Sequence, residues 1–255
     1  MTNRIIRFAI ILAQSAVWLV VTAGLSAADE TVLTPHSAEY RVKISVLGGR
    51  LRTELSATNT GYAATHVIKA TGMSRIVARG TITESSRFAI ARDGIRPTRY
   101  FSEDTLTRDK TKADLSFDWD KGEARGTVNG EEVLSELEDL AFDRVSIQYQ
   151  LMYDLLNGGP DSQYTMFEVD KLRTVNVRTI GHKQVKVPAG VFDAIGIQHQ
   201  SENSSRTMTM WCVEELDFLP VIIEQRRKGK LRVRAVLRNY TPSEVSLTDT
   251  SGQRN

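Results

Sequence analysis

Alternation with a period of two runs through most of this sequence, and it restricts the chain to pleated strands over nearly its whole length. Tyr40, Val42, Ile44 and Val46 alternate with Arg41, Lys43 and Ser45, the pattern of a strand with one buried and one wet face. Gly48-Gly49 supplies a turn, and Leu51, Thr53, Leu55 and Ala57 repeat the pattern, so the two runs predict an antiparallel hairpin. Similar runs occupy residues 62–70, 81–90, 95–101, 113–119, 124–128 and 131–134, and then 164–169, 173–179, 184–187, 191–200, 206–213, 221–225 and 230–240. Turn-competent residues separate them, among them Asn59-Thr60-Gly61, Asn129-Gly130, Gly181-His182 and Pro188-Ala189-Gly190. Connections this short leave no room for parallel crossovers, so the roughly twelve strands are expected to pair antiparallel. A sheet that large must curl.

One long segment departs from this rhythm. Over residues 143–157, Val145, Ile147, Tyr149, Leu151, Met152, Leu155 and Leu156 recur at spacings of three and four, Asp143 can cap the start, and Asn157-Gly158-Gly159-Pro160 stops the run. That spacing predicts a helix of about four turns. Its apolar face is wide enough to demand deep packing. Residues 72–77 fit a shorter helical turn. The expected architecture is mainly β: one large curved antiparallel sheet, an open barrel or spiral, wrapped around one long helix.

The N-terminus carries an export signal. Arg4 and Arg7 precede an apolar stretch at residues 8–23, broken only by Gln14, Ser15 and Thr22, and the small-residue run Gly24-Leu25-Ser26-Ala27-Ala28 follows. This is the three-part layout of a signal peptide, a helix spanning residues 1–28. The alternative is an uncleaved anchor, since the stretch approaches the ~18 residues that cross a bilayer. No cysteine lies near the cleavage point, so a lipoprotein anchor is not expected. Residues 29–241 then form one domain, with 242–255 a frayed tail. Export places the protein in the periplasm.

Composition narrows the function. Without the leader's two arginines, the 33 basic residues fall to 31 and balance 31 acids. A neutral body argues against nucleic acid as a partner. Cys212 is the only cysteine and cannot form an internal disulfide. His36, His66, His182 and His199 are scattered without metal-binding spacing, so no metal or other cofactor is expected. Nucleophile-elbow, P-loop and dinucleotide-binding motifs are absent. Asp118 and Asp120, flanking Trp119, are the best acid pair for an envelope hydrolase, but beside a turn they read more simply as solvated acids.

Two constellations suggest binding. Tyr149, Met152, Tyr153 and Leu156 on the helix, with Met210 and Trp211 on a strand, can line an apolar cavity for a lipid or acyl chain, or can simply fill the core. Arg226, Arg227, Lys228 and Lys230, continued by Arg232 and Arg234, form a cationic hairpin. It suits an anionic membrane surface, or guards a sheet edge against aggregation.

The run from Asp143-Arg144-Val145-Ser146-Ile147-Gln148-Tyr149-Gln150-Leu151, the segment Val187-Pro188-Ala189-Gly190-Val191-Phe192, and Trp211 followed by Leu219-Pro220-Val221 carry a family likeness, as do Gly94-Ile95-Arg96-Pro97 and Phe117-Asp118-Trp119. Over residues 40–240 the chain resembles the domain-of-unknown-function 3108 family of exported bacterial proteins. The resemblance implies a periplasmic β-rich protein, related in shape to curved-sheet carriers of lipoproteins and lipids, with no catalytic residues to carry over. Together these readings lead to the expectation of a non-enzymatic envelope protein that carries a hydrophobic or amphipathic ligand in the concave face of the sheet. The alternatives are a scaffold docking an envelope protein through a sheet edge and, less favoured, a hydrolase.

Overall fold

Alternating burial translates directly into strands. The computed structural model describes residues 32–107, 110–168 and 171–243, so the expected signal peptide (1–28) and most of the expected tail (244–255) lie outside the described residues. In order come β1 (His36–Ile44), β2 (Leu47–Thr58), β3 (Gly61–Ala70), α1 (Ser74–Val77), β4 (Thr81–Ala91), β5 (Gly94–Asp104), β6 (Thr111–Asp118), β7 (Glu123–Val128), β8 (Glu131–Glu136) and β9 (Ala141–Phe142). Then follow α2 (Ser146–Leu156), β10 (Gln163–Glu168), β11 (Lys171–Val187), β12 (Gly190–Ser201), β13 (Arg206–Val213), a 3₁₀ turn (Glu214–Leu216), β14 (Leu219–Arg227) and β15 (Lys230–Pro242).

All fifteen strands belong to one open sheet, in the order β8-β7-β6-β5-β4-β3-β2-β1-β15-β14-β13-β12-β11-β10-β9. Each half is a meander of hairpins, and β1 joins the halves by pairing with β15. The sheet curls until its two arms touch: Phe117 on β6 meets Phe167 on β10 edge-on, with ring centroids 6.5 Å apart. No backbone ladder links those two strands. The far edges are β8, rich in glutamate, and β9, only two residues long. Charge and brevity both discourage another chain from adding a strand.

Four expectations are corrected. The β1–β2 turn lies at Ser45-Val46, while Gly48 and Gly49, expected as the turn, pair with Lys43 and Val42 inside the ladder. The helix is shorter than predicted, eleven residues instead of about four turns: Asp143 caps it as expected, but Arg144 and Val145 form a turn before its first residue. Asp143 Oδ1 accepts from the backbone N–H groups of Val145 and Ser146 at 2.8 Å each, while Ser146 Oγ accepts from the Asp143 N–H at 2.9 Å. Pairing is not wholly antiparallel either: β9 and β10 run parallel, through Ala141↔Thr165 and Phe142↔Met166. The crossover that such a pair needs is α2 itself. Finally, Gly181-His182 is no turn between strands. It is a bulge inside β11, where the register with β12 shifts between Thr179 and His182 and Gly181 takes φ 103°.

The core is a single cluster centred on α2. Ser146, Ile147, Tyr149, Gln150, Leu151, Met152 and Tyr153 are buried, most of the helix's circumference, so it is an enclosed rod and not a surface helix. Tyr149 stands against Phe88 of β4 at 5.5 Å between ring centroids.

Candidate functional site

Strand register assembles a polar row on the face that meets α2. Residues directly opposite on neighbouring strands share a face, and the pairs Tyr240↔Ala38, Ala38↔Thr53, Thr53↔His66, His66↔Glu84 and Glu84↔Ser102 run across six strands. The tyrosine hydroxyl of Tyr149 lies 3.3 Å from His66 Nε2. Glu84 accepts from the Tyr100 hydroxyl at 3.1 Å and pairs with Arg144 at 3.4 Å. Two positions along, Ser86 donates to Asp143. Burial raises the Asp143 carboxyl to about 6 and lowers the His66 imidazole to about 4. His36 Nδ1 donates to the Thr34 carbonyl at 2.8 Å, which leaves its Nε2 as an acceptor, buried without a protein partner.

A second polar chain crosses from one arm of the curl to the other. The Ile95 N–H of β5 donates to Gln150 Oε1 at 2.7 Å, Gln150 Nε2 donates to Asp154 Oδ1 at 2.7 Å, and the Tyr164 hydroxyl of β10 donates to Asp154 Oδ2 at 2.6 Å. Gly94 makes room for it: at φ +127°, a Cβ there would lie 2.9 Å from Gln150 Oε1. Burial raises Asp154 to about 6. Over this chain opens a cavity of about 690 Å³, whose lining includes Arg96, Trp119, Leu137, Leu140, Phe142 and Tyr164 as well as Gln150. The Trp119 indole N–H is anchored to the Pro97 carbonyl at 2.6 Å, and the Arg96 guanidinium lies 5.6 Å from the centre of its ring while pairing with Asp93 at 2.6 Å. The lining therefore mixes aromatic and aliphatic side chains with charged and amide-bearing ones.

The residues singled out from sequence separate into two groups. Tyr149, Met152, Tyr153 and Met210 are buried in the core, and Leu156 packs against it. They fill the interior beside the helix. Trp211 departs from the expectation: as the neighbour of Met210 on a strand it projects from the opposite side. There its ring lies over Gly196 and under the Lys183 ammonium, 3.6 Å from the ring centre. Asp118 ends β6, paired with Lys121 at 2.8 Å and Arg125 at 3.5 Å, and Asp120 is exposed in the turn that follows. Arg226, Arg227, Lys228, Lys230, Arg232 and Arg234 are all exposed. They do not guard an edge, because β15 lies inside the sheet between β14 and β1. Glu224 also draws on that positive charge, lying 3.5 Å from Arg226 and 3.4 Å from Arg234. Among the described residues no cluster of three or more potential metal ligands forms.

The family model described as "Protein of unknown function (DUF3108)" matches residues 37–235. The chain belongs to the DUF3108 family. Among solved structures it is similar to a β-barrel-like protein of domain of unknown function DUF1849 from Brucella abortus, at 12% sequence identity and a TM-score of 0.57, over 84% of this chain and 100% of that one. At that identity the likeness is one of fold. No curated protein matches the chain. The curled, barrel-like sheet thus extends to another family of unknown function. Within this DUF3108 chain, Arg96, Trp119 and Gln150 line the cavity between the arms, and Ile95 and Pro97 hold Gln150 and Trp119 through their backbone groups, a convergence their scattered positions hide.

Proposed function

We propose that this DUF3108 protein is a non-enzymatic protein of the bacterial envelope that binds an amphipathic molecule at the junction of the two sheet arms. The observation that carries this reading is the cavity of about 690 Å³ beside Gln150, lined by Trp119, Leu137, Leu140 and Phe142 together with Arg96 and the acids Asp93, Glu138, Asp139 and Asp161. A volume in the range of about 300–1,000 Å³ with a mixed lining suits a small ligand that has one greasy and one hydrated part. The expected apolar trough along α2 is replaced as the binding place, since its residues already fill it. The signal-peptide reading of residues 1–28 supports a periplasmic location.

Trp119 makes the reading measurable. Outside the leader the chain has two tryptophans, Trp119 and Trp211, so the Trp211→Phe protein reports on Trp119 alone. Titration with lysophosphatidylethanolamine below its micellar concentration is expected to shift that fluorescence saturably, and Leu140→Arg is expected to abolish the shift. No saturable change, together with no amphiphile retained in native mass spectrometry, refutes the proposal.

A further inference from the structure

One corner of the sheet presents aliphatic side chains to water above two cationic hollows. The β1–β2 turn, the segment containing α1 and the start of β15 are tied together there: the Thr71 N–H donates to the Gly48 carbonyl at 3.0 Å, the Gly48 N–H to Ser74 Oγ at 2.8 Å, and the Ser45 N–H to the Arg232 carbonyl at 2.9 Å. Helix α1 buries none of its residues. Val46, Met73, Ile76 and Val77 are 89%, 78%, 63% and 73% exposed. Folded proteins leave scattered apolar side chains in water, but several on neighbouring loops with a polar rim mark a surface meant to be covered.

The surroundings decide what covers it. Arg50, Lys69, Arg75 and Arg79 line a hollow of about 550 Å³, and Arg41, Lys43, Lys186 and Arg234 contribute to a second of about 470 Å³; Thr71 borders both, and no carboxylate lines either. Arg50 pairs with Glu39 and Arg234 with Glu224. Among the described residues no carboxylate lies within ion-pair distance of Lys43, Lys69, Arg75, Arg79 or Lys186. A nucleic acid is poorly matched, because the protruding side chains are aliphatic and offer no ring for base stacking. Aliphatic tips in front of unpaired cations match the boundary between acyl chains and phosphate headgroups.

We infer that this corner docks the protein on an anionic phospholipid bilayer, with Met73, Ile76, Val77 and Val46 entering the headgroup region and the cations of the two hollows meeting lipid phosphates. The inference shares no residue with the cavity between the arms and stands whether or not that cavity takes a ligand. The lysine and arginine cluster predicted from sequence at 226–234 adds only its Arg234 end to the second hollow.

Vesicle co-sedimentation of protein purified after expression of the full chain tests it, using phosphatidylglycerol-rich and pure phosphatidylcholine vesicles. Binding is expected to the first and not the second, and to weaken as salt rises. Arg75→Glu with Arg79→Glu should weaken it by about 25-fold or more, at about fivefold for each of the two cations lost. Met73→Ser with Ile76→Ser should remove the binding that survives high salt. All four positions are on an exposed segment, and circular dichroism checks that the variants remain folded. Equal binding to both vesicle types, no binding to either, or wild-type binding by the Arg75/Arg79 variant overturns the inference. So does equally tight binding of soluble pyrophosphate that is indifferent to the Met73/Ile76 pair, which makes the corner a polyanion site.

Discussion

The Ser86 hydroxyl on β4 donates to Asp143 Oδ2 at 2.6 Å, joining positions 57 residues apart. The other oxygen of the same carboxylate caps α2 through Val145 and Ser146. One buried side chain therefore fixes both where the helix begins and which strand it leans on.

That carboxylate shapes the acid response. Burial raises Asp143 and Asp154 from 3.8 to about 6, and lowers His66 and His199 from 6.5 to about 4. A raised carboxyl gives stability that is complete below its unfolded pKa and lost as pH rises through its folded one. A lowered histidine gives stability that is complete above its unfolded pKa and lost as pH falls through its folded one. The two slopes oppose each other between about pH 4 and 6, and the lowered His36 imidazole sides with the other histidines, so the contribution of Asp143 is read by removing its titration. Asp143→Asn keeps the shape without the titration. Relative to the wild type it should lose on the order of 2–3 kcal/mol between about pH 7 and pH 4, and parallel profiles for the two proteins would contradict the assignment.

Tyr149 separates packing from hydrogen bonding. Removing only the hydroxyl, Tyr149→Phe forfeits the contact with His66 and should cost about 1 kcal/mol in chemical denaturation. Tyr149→Ala empties the space against Phe88 and should cost about 3–5 kcal/mol. A loss below about 1 kcal/mol for the alanine variant would show that α2 is not held in a packed interior.

Gly94 holds open the place that Gln150 occupies. A methyl group there meets the amide at 2.9 Å and a backbone conformation that favours glycine. Gly94→Ala is expected to destabilise by about 1–3 kcal/mol and to raise hydrogen exchange at the Ile95 amide. Unchanged protection at Ile95 would mean that the Ile95–Gln150 bond survives and that the crowding is relieved elsewhere.

Cys212 should be silent in the native protein. It is buried on β13, and burial pushes its thiol up to about 12. Its reaction with a disulfide reagent at mildly alkaline pH should follow the opening of the sheet and accelerate with urea. Labelling at the speed of a free peptide thiol would show β13 to be open in the folded state.

Much of this architecture is legible locally because hairpins obey local rules. The turn at Asn59-Thr60 pairs Thr58 with Gly61 and, counting outward, Thr53 with His66, so one of the five pairs in the polar row follows from the position of one turn. Glu84 does not follow, because the segment containing α1 intervenes and hides the register of β4. Ala141-Phe142 is too short to show any period, so the parallel pair with β10 left no signal. Gly181 carries the same left-handed freedom in a bulge as in a turn, and only the partner strand tells them apart. The misplacement of Trp211 was avoidable: neighbours on a strand face opposite ways, so Met210 and Trp211 cannot both face the core of a regular strand. The cavity beside Gln150 had no local signature, since its walls come from both arms and from α2.

Phe117 and Phe167 touch where neither strand is bonded to the other. A ring pair of this kind contributes about 1 kcal/mol beyond the area it hides, whereas a continuous ladder would commit one bond after another along the line. The roll is shut like a clasp and not a weld. Parting it there breaks no backbone pairing, and both meanders remain whole on either side of the gap.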